Sequence, residues 1–182
     1  MIPFPDKKYR IIYADPPWNF SSRRCSTPMT GEQSSLLYPT MVFDELKELP
    51  VDEISYLNST LFLWTTDSHL VYALELMNAW GFNYKTIAFN WLKKTVTGKN
   101  AFVMGNWTNK SSEICLLGIK GRPHVFVQSR TVRQLVEAVR RKHSEKPDEV
   151  RERIVELMGD EPRIELFARK EIVGWDVWGN EV

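Results

Sequence analysis

The chain is poor in the residues that announce the commoner small-protein chemistries. It has two cysteines, Cys25 and Cys115, in 182 residues. They form neither a disulfide framework nor a metal-ligand spacing, and they suit a reducing compartment such as the cytoplasm. No metal is expected. Of the three histidines, His69 and His143 read as surface residues and His124 as a strand residue. No apolar stretch approaches the ~20 residues of a membrane span. Residues 1–10 hold two prolines and several charges, but no apolar core of the kind a signal peptide needs. An excess of one charge is also missing. The 24 basic and 23 acidic residues leave a net charge of +1, which neither demands nor excludes a nucleic-acid partner. A Gly-rich phosphate loop ending in Lys-Ser/Thr is absent, which sets nucleotide hydrolysis aside. Internal repeats and low-complexity tracts are absent too.

What is present is an ordinary globular composition, 43% hydrophobic and 26% charged. It predicts one domain over residues 1–182, large enough for a sizeable core. The aromatic content of 12% mostly fills that core, with a few rings left for base stacking.

Strand and helix patterns alternate along the chain. Residues 9–14 read as a buried strand that stops at Asp15-Pro16-Pro17, because proline has no N–H to continue a ladder. Residues 19–39 read as a long polar loop, a feature that is often functional. One or two short acidic helices follow at 43–57, then a buried strand at 60–65. A helix is expected over 68–80, capped by Asp67, with Leu70, Val71, Leu74 and Met77 inward and Gly81 at its end. A strand is expected at 83–92, a second polar loop at 93–112, and strands at 113–119 and 124–128. Residues 130–143 are basic and partly helical in pattern. Pro147 opens a helix over 148–158, with Val150, Ile154, Val155, Leu157 and Met158 on its apolar face. Strands at 164–168 and 174–178 complete the chain. Such alternation indicates an α/β sheet covered on both faces. In these sheets ligands bind beyond the carboxyl ends of strands, where Asp15 and residues 165–169 fall.

Asp15-Pro16-Pro17-Trp18 carries the clearest chemistry. Proline fixes its own φ and restricts the residue before it. The Asp15 carboxylate and the first proline carbonyls are therefore held in fixed directions. Two acceptors with no nearby donor suit a planar primary amine such as the exocyclic amine of adenine. That nitrogen is a poor nucleophile because its lone pair is delocalised into the ring. Accepting both of its hydrogens favours a pyramidal nitrogen as an electrophile arrives. Trp18 is placed to stack on the base, worth ~1–3 kcal/mol.

Three acid-poor basic stretches flank this edge in the expected fold. Arg23 and Arg24 lie in the first loop. Lys93, Lys94, Lys99 and Lys110 lie in the second, with Trp107 as a stacking ring or wedge. Arg130 and Arg133 begin the third, which continues through Arg140, Arg141, Lys142 and Lys146. They are expected to position nucleic-acid phosphates without reading sequence. A base inside a duplex would have to flip out, at a cost of a few kcal/mol.

The chain resembles the adenine-specific N(6) methyltransferases typified by the catalytic subunit of the eukaryotic messenger-RNA N(6)-adenine writer, a family that also includes small bacterial and phage proteins. The matching stretches are Tyr13-Ala14-Asp15-Pro16-Pro17-Trp18, Tyr38-Pro39-Thr40-Met41, Leu61-Phe62-Leu63-Trp64, Trp91-Leu92-Lys93 and the run from Glu113 to Gly121. They continue with Lys146-Pro147-Asp148-Glu149, the run from Ile164 to Arg169, and Gly179-Asn180. The resemblance implies a Rossmann-like S-adenosylmethionine-dependent methyltransferase fold, with a mixed, mostly parallel sheet and helices on both faces. It implies methyl transfer to adenine in a nucleic acid, with DNA expected ahead of RNA from the small size, in a bacterial or phage-infected cytoplasm. It assigns Asp15 and Pro16 to the target amine, with Pro17 and Trp18 shaping the pocket. It assigns Asp15, Glu165, Phe167, Arg169, Asn180 and Glu181 to S-adenosylmethionine. The family's Gln is Glu181 here, and its acidic turn upstream of the catalytic motif has no counterpart in the 14 residues before Asp15. A homodimer or a partner subunit is compatible with the resemblance. A non-catalytic partner is disfavoured, since Asp15 and Trp18 are both retained.

Overall fold

The structure, a computed structural model, describes residues 2–18, 41–105, 107–141 and 145–182. Arg23, Arg24, Cys25, residues 38–40, Lys142 and His143 lie outside the described residues, and with them the expected loop at 19–39.

Among the described residues, seven strands form one sheet. They are β1 (Tyr9–Ala14), β2 (Ser55–Thr65), β3 (Asn83–Lys94), β4 (Ser112–Lys120), β5 (Leu135–Val139), β6 (Arg163–Leu166) and β7 (Asp176–Trp178), in the spatial order β5-β3-β4-β2-β1-β6-β7. β4 is antiparallel to both its neighbours, and the other pairs are parallel. β1 is flanked on both sides, with Ala14 opposite Leu63 of β2 and Leu166 of β6. A strand so enclosed needs apolar side chains on both faces, which its Ile-Ile-Tyr-Ala run supplies.

Alternation along the strands sends side chains into two cores. Helices α1 (Phe43–Lys47) and α2 (Leu70–Ala79) cover one face. There Leu46, Ala73, Leu76 and Met77 share a core with Ile12, Leu61, Leu63 and Leu116. Helix α3 (Asp148–Met158) covers the other, where Val150, Ile154 and Met158 join Ile11, Tyr13, Phe62, Phe89 and Val136. Each fully buried aliphatic side chain contributes ~1.5–3 kcal/mol by leaving water. At the sheet's far end Phe4 packs on Trp178, ring centroids 4.4 Å apart, and Trp178 Nε1 donates to the Ile2 carbonyl at 3.2 Å.

Four expectations are corrected. Residues 124–128 are not a strand; Pro123–Phe126 make a 3-10 turn that starts on proline. The helical pattern at 130–143 gives way to β5, whose residues alternate between exposed and buried because the edge of β3 offers it a ladder. In α2 the inward stripe is Ala73, Leu76 and Met77, while Leu70, Val71 and Leu74 are exposed. Met77 reaches the backbone of Gly118, where a Cβ would stand 2.8 Å from its sulfur, so a small residue on β4 sets the helix's rotation. Asp67 does not cap α2; residues 67–69 form a 3-10 turn with no side-chain cap.

Candidate active site

The carboxyl ends of β1, β2, β3, β6 and β7 and the amino end of β4 share one edge of the sheet. Asp15 leaves β1 there, between the end of β2 and Phe167 at the end of β6. It lines a pocket with Pro16, Pro17, Trp18, Thr66 and Arg169. The Pro16 carbonyl accepts the Trp18 N–H at 2.8 Å, so its direction is fixed while a second lone pair is left. Trp18 is buried, and its indole N–H donates to the Trp64 carbonyl at 3.1 Å. Only a margin of this ring faces the groove. His69, read as a surface residue, lies beside it with ring centroids 5.7 Å apart, and its Nδ1 is 3.1 Å from the Thr66 hydroxyl.

The reading that no donor stands near Asp15 is corrected. Lys146 Nζ donates to Asp15 Oδ2 at 2.7 Å and lies 3.4 Å from Glu113 Oε2. Glu113 is in turn bonded to Lys93. Asp15, Lys146, Glu113 and Lys93 thus form a chain of alternating charge at the mouth of the pocket. Burial pushes the Asp15 carboxyl up, and the pull of Lys146 does not fully cancel it. Burial opposes the charge on Lys146, but the carboxylates of Asp15 and Glu113 outweigh it and hold the ammonium's pKa up. Burial would likewise raise Glu113, but Lys146 and Lys93 outweigh it and hold the carboxyl below its ordinary value.

A second ion pair supports the site from behind. Arg151 on α3 donates from Nε and one terminal nitrogen to the two oxygens of Glu165, at 2.6 and 2.7 Å, and both side chains are buried. Glu165 therefore faces α3 with both oxygens engaged. Arg151 also lies over the Tyr13 ring, whose hydroxyl accepts the Trp64 indole N–H at 2.7 Å. Beside this frame, Phe167 adopts a left-handed φ of 62°, a costly conformation that clusters at functional sites. The backbone of Gly179 lies against that turn. A Cβ there would stand 2.4 Å from the Ala168 carbonyl oxygen, so only glycine brings Asn180 and Glu181 beside Arg169. Glu181 lies 3.8 Å from Arg169 Nε.

The basic residues divide. Lys93 and Lys94 end β3 on the catalytic edge, Lys94 beside Glu137 at 3.0 Å. Lys110 lies 3.3 Å from Asp67 on the same edge, and Lys99 is exposed on a turn at 95–99. Trp107 is 98% exposed. Arg130 is not on this edge. It follows Gln128 and Ser129, whose N–H groups donate to the Leu157 carbonyl at the far end of α3. Arg133 lies part-way, its carbonyl held by Arg153. Arg140, whose N–H donates to the Lys94 carbonyl at 3.0 Å, and Lys146, bonded to Asp15, are the members of that stretch placed on the Asp15 side.

Comparison with known proteins agrees with this geometry. The MT-A70 family profile matches residues 9–181. The chain is 36% identical to the type II methyltransferase M.MunI of Mycoplasma sp over 98% of its own length and 79% of that protein's. It is 31% identical to METTL3, the N(6)-adenosine-methyltransferase catalytic subunit of Homo sapiens, and 30% to an MT-A70-like N(6)-adenosine-methyltransferase of Arabidopsis thaliana. It covers 96% of itself in both matches, but only 28% and 24% of those longer proteins. The chain belongs to the MT-A70 family. The α/β sheet with its mostly parallel strands is the fold that the resemblance implied.

Two residues of this candidate site carried no assigned role in the sequence. Lys146 was counted among surface charges, and Glu113 went unassigned. Both open shared motifs, Lys146-Pro147-Asp148 and Glu113-Ile114-Cys115, and that was the available signal. Arg151 could have been found as a charge on the apolar face of α3. Among the described residues no helix is long and apolar enough to cross a membrane, and no cluster of His, Cys, Asp and Glu is placed to hold a metal ion.

Proposed function

We propose that this chain is an enzyme that transfers a methyl group from S-adenosylmethionine to the 6-amino group of adenine in DNA. The observation that carries it is the Asp15–Pro16 acceptor pair at a strand end, locked from behind by Lys146. The Asp15 carboxylate and the free lone pair of the Pro16 carbonyl accept the two amine hydrogens. Holding both draws the nitrogen lone pair out of conjugation and aims it outward. The carboxyl, pushed up by burial, is a fitting acceptor for the proton the methylated nitrogen must lose. Lys146 keeps Asp15 oriented, and Glu113 holds Lys146.

The pocket suits a zwitterionic sulfonium donor. Arg169 and Lys146 offer cations to its carboxylate, Asp15 offers an anion beside its positive charge, and Asn180 and Glu181 offer partners for hydroxyls. Bound, S-adenosylmethionine supplies a methyl group already activated on sulfur, so no covalent enzyme intermediate is needed. Glu165, engaged by Arg151, acts here by holding the β6 end in place.

DNA is favoured over RNA because the relative matched over most of its length is a type II methyltransferase, a class that acts on DNA. The N(6)-adenosine enzymes motivate the RNA reading. A bacterial or phage-infected cytoplasm is the setting this implies. The test is to incubate the protein with labelled S-adenosylmethionine and unmethylated duplex DNA, single-stranded DNA and RNA, then digest to nucleosides. Label on the 6-amino group of deoxyadenosine is expected. Label on adenosine alone overturns DNA, and no transfer to any of the three overturns the enzyme as an independent catalyst.

A further inference from the structure

Between β3 and β4 the chain does not simply loop back. Residues 95–99 close a first turn, with the Thr95 and Lys99 backbones joined and Lys94 bridged to Asn100. Val103 and Lys110 then close a second, exchanging backbone hydrogen bonds of 2.8 and 2.9 Å. Gly105 and Thr108 in this second turn approach closely. A Cβ on Gly105 would stand 2.4 Å from the Thr108 carbonyl oxygen. It carries Trp107, 98% exposed, and Met104, 89% exposed. A large ring held fully in solvent on a hydrogen-bonded turn is unusual for a residue whose ordinary place is the core.

The turn's position indicates what it meets. Met104, Trp107 and Lys110 line the same groove as Trp18, Thr66 and Glu113, and the last three also line the Asp15 pocket. The groove therefore leads from Trp107 to the catalytic carboxylate. Residues 93–112 hold four lysines and no acid. Lys93, Lys94 and Lys110 sit beside Glu113, Glu137 and Asp67 and Lys99 is exposed, so the turn's place on the groove to Asp15, more than its charge, is what favours a nucleic acid there.

We propose that the 103–110 turn is a wedge that opens duplex DNA beside the target adenine, with Trp107 entering the base stack as the adenine leaves it for the Asp15 pocket. This rests on the adenine-methylating function proposed above. An adenine inside a duplex cannot reach a buried carboxylate, and extrusion costs stacking and pairing energy. A tryptophan filling the vacated space recovers part of the stacking. Met104 flanks it as a second apolar surface. Trp107 acts through the substrate's conformation and is a positioning residue.

The wedge predicts a defect specific to closed duplex. Methyl transfer from labelled S-adenosylmethionine is measured on unmethylated genomic DNA, native and heat-denatured, for the wild type, Trp107→Ala, Trp107→Phe and Gly105→Ala. The ratio of native to denatured rates is expected to fall about tenfold in Trp107→Ala and to recover largely in Trp107→Phe. Gly105→Ala, which displaces the turn, should lower the ratio in the same direction. Oligonucleotide duplexes with their adenines mismatched should restore it in Trp107→Ala, because those bases are already loosened. An unchanged ratio in Trp107→Ala overturns the wedge, as does a ratio that mismatches do not restore. A change in sedimentation in Trp107→Ala with equal loss on both DNA forms also overturns it and makes the turn a protein interface. A wild type that labels denatured DNA but not native DNA overturns the wedge alone. A wild type that labels no DNA overturns the proposed function as well, so the two failures are distinguishable.

Discussion

Lys146 Nζ stands 2.7 Å from Asp15 Oδ2, across 131 positions of sequence. The carboxylate proposed to face the target amine is thereby held by a cation just ahead of α3. The same ammonium reaches Glu113 at 3.4 Å, so one buried positive charge serves two carboxylates. Their demands oppose each other. Asp15 must keep an oxygen available for the amine, and Glu113 competes for Lys146 while fixing where it points.

Replacing Lys146 with methionine should strip Asp15 of the influence that lowers its pKa while leaving the burial that raises it. The ionised carboxylate would then be lost at a higher pH. The acid limb of the kcat profile is expected to shift upward in pH and turnover to fall about 10²-fold. Lys146→Arg should keep the limb closer to wild type. A limb that stays in place would show that Lys146 does not tune Asp15.

Asp15→Asn keeps the shape of the acceptor but removes its charge. Turnover should drop about 10²- to 10³-fold. Calorimetric affinity for S-adenosylmethionine should change far less, since Arg169, Asn180 and Glu181 are untouched. Near-normal turnover would remove Asp15 from the reaction.

Glu165→Ala leaves the Arg151 guanidinium buried without its bidentate partner. Breaking a buried pair from one side costs ~3–5 kcal/mol. Denaturant midpoints should show a loss of that order. The double variant Arg151→Met with Glu165→Ala should be more stable than Glu165→Ala alone. If Glu165→Ala unfolds like the wild type but binds the donor poorly, Glu165 is a contact residue rather than a brace.

The carboxyls of Glu113 and Asp148 are held below their ordinary values. For Glu113 burial opposes this and Lys146 and Lys93 prevail; for Asp148 burial opposes it and Arg141, Lys170 and Arg151 prevail. A depressed carboxyl stabilises the fold fully above its unfolded pKa, ~4, and the stabilisation is lost as pH falls through the folded value. Lys146 has the opposite sign: its contribution is full below its unfolded value and is lost as pH rises through its raised one. Stability is therefore expected to fall off below pH ~4, and Glu113→Gln should flatten that acid limb in urea titrations. An unaltered limb would show that Glu113 is not a principal acid-labile group.

Much of this was legible locally. The Ile-Ile-Tyr-Ala run and the prolines after it define β1 and its end without reference to the rest of the chain, and Asp15 follows directly. Residues 130–143 misled because Val132, Leu135, Val136 and Val139 recur at helical spacing. The free edge of β3 captured them as a strand instead. Helix α2 was turned the wrong way because the bulkier Leu70, Val71 and Leu74 outweighed Ala73 in the pattern, while the close approach at Gly118 favours the smaller residue. Lys146 and Glu113 escaped for a related reason. Their roles depend on β4 running against its neighbours, which places its amino end on the edge where the other strands finish. A charge's partner across the sheet leaves no trace in its own neighbours along the chain.

The contact of Ile2 and Phe4 with Trp178 has a topological consequence. The segment before β1 is thereby tied to β7, 176 positions later, although β6 lies between the two strands. The site depends on which strands lie side by side, and the sequential order in which they are synthesised is a separate matter. Glu165 on β6 and the end of β1 that carries Asp15 lie on adjoining strands, although most of the chain separates them in sequence. Motif order along the chain is thus one thing and neighbourhood in the sheet another, and the site is built on the second.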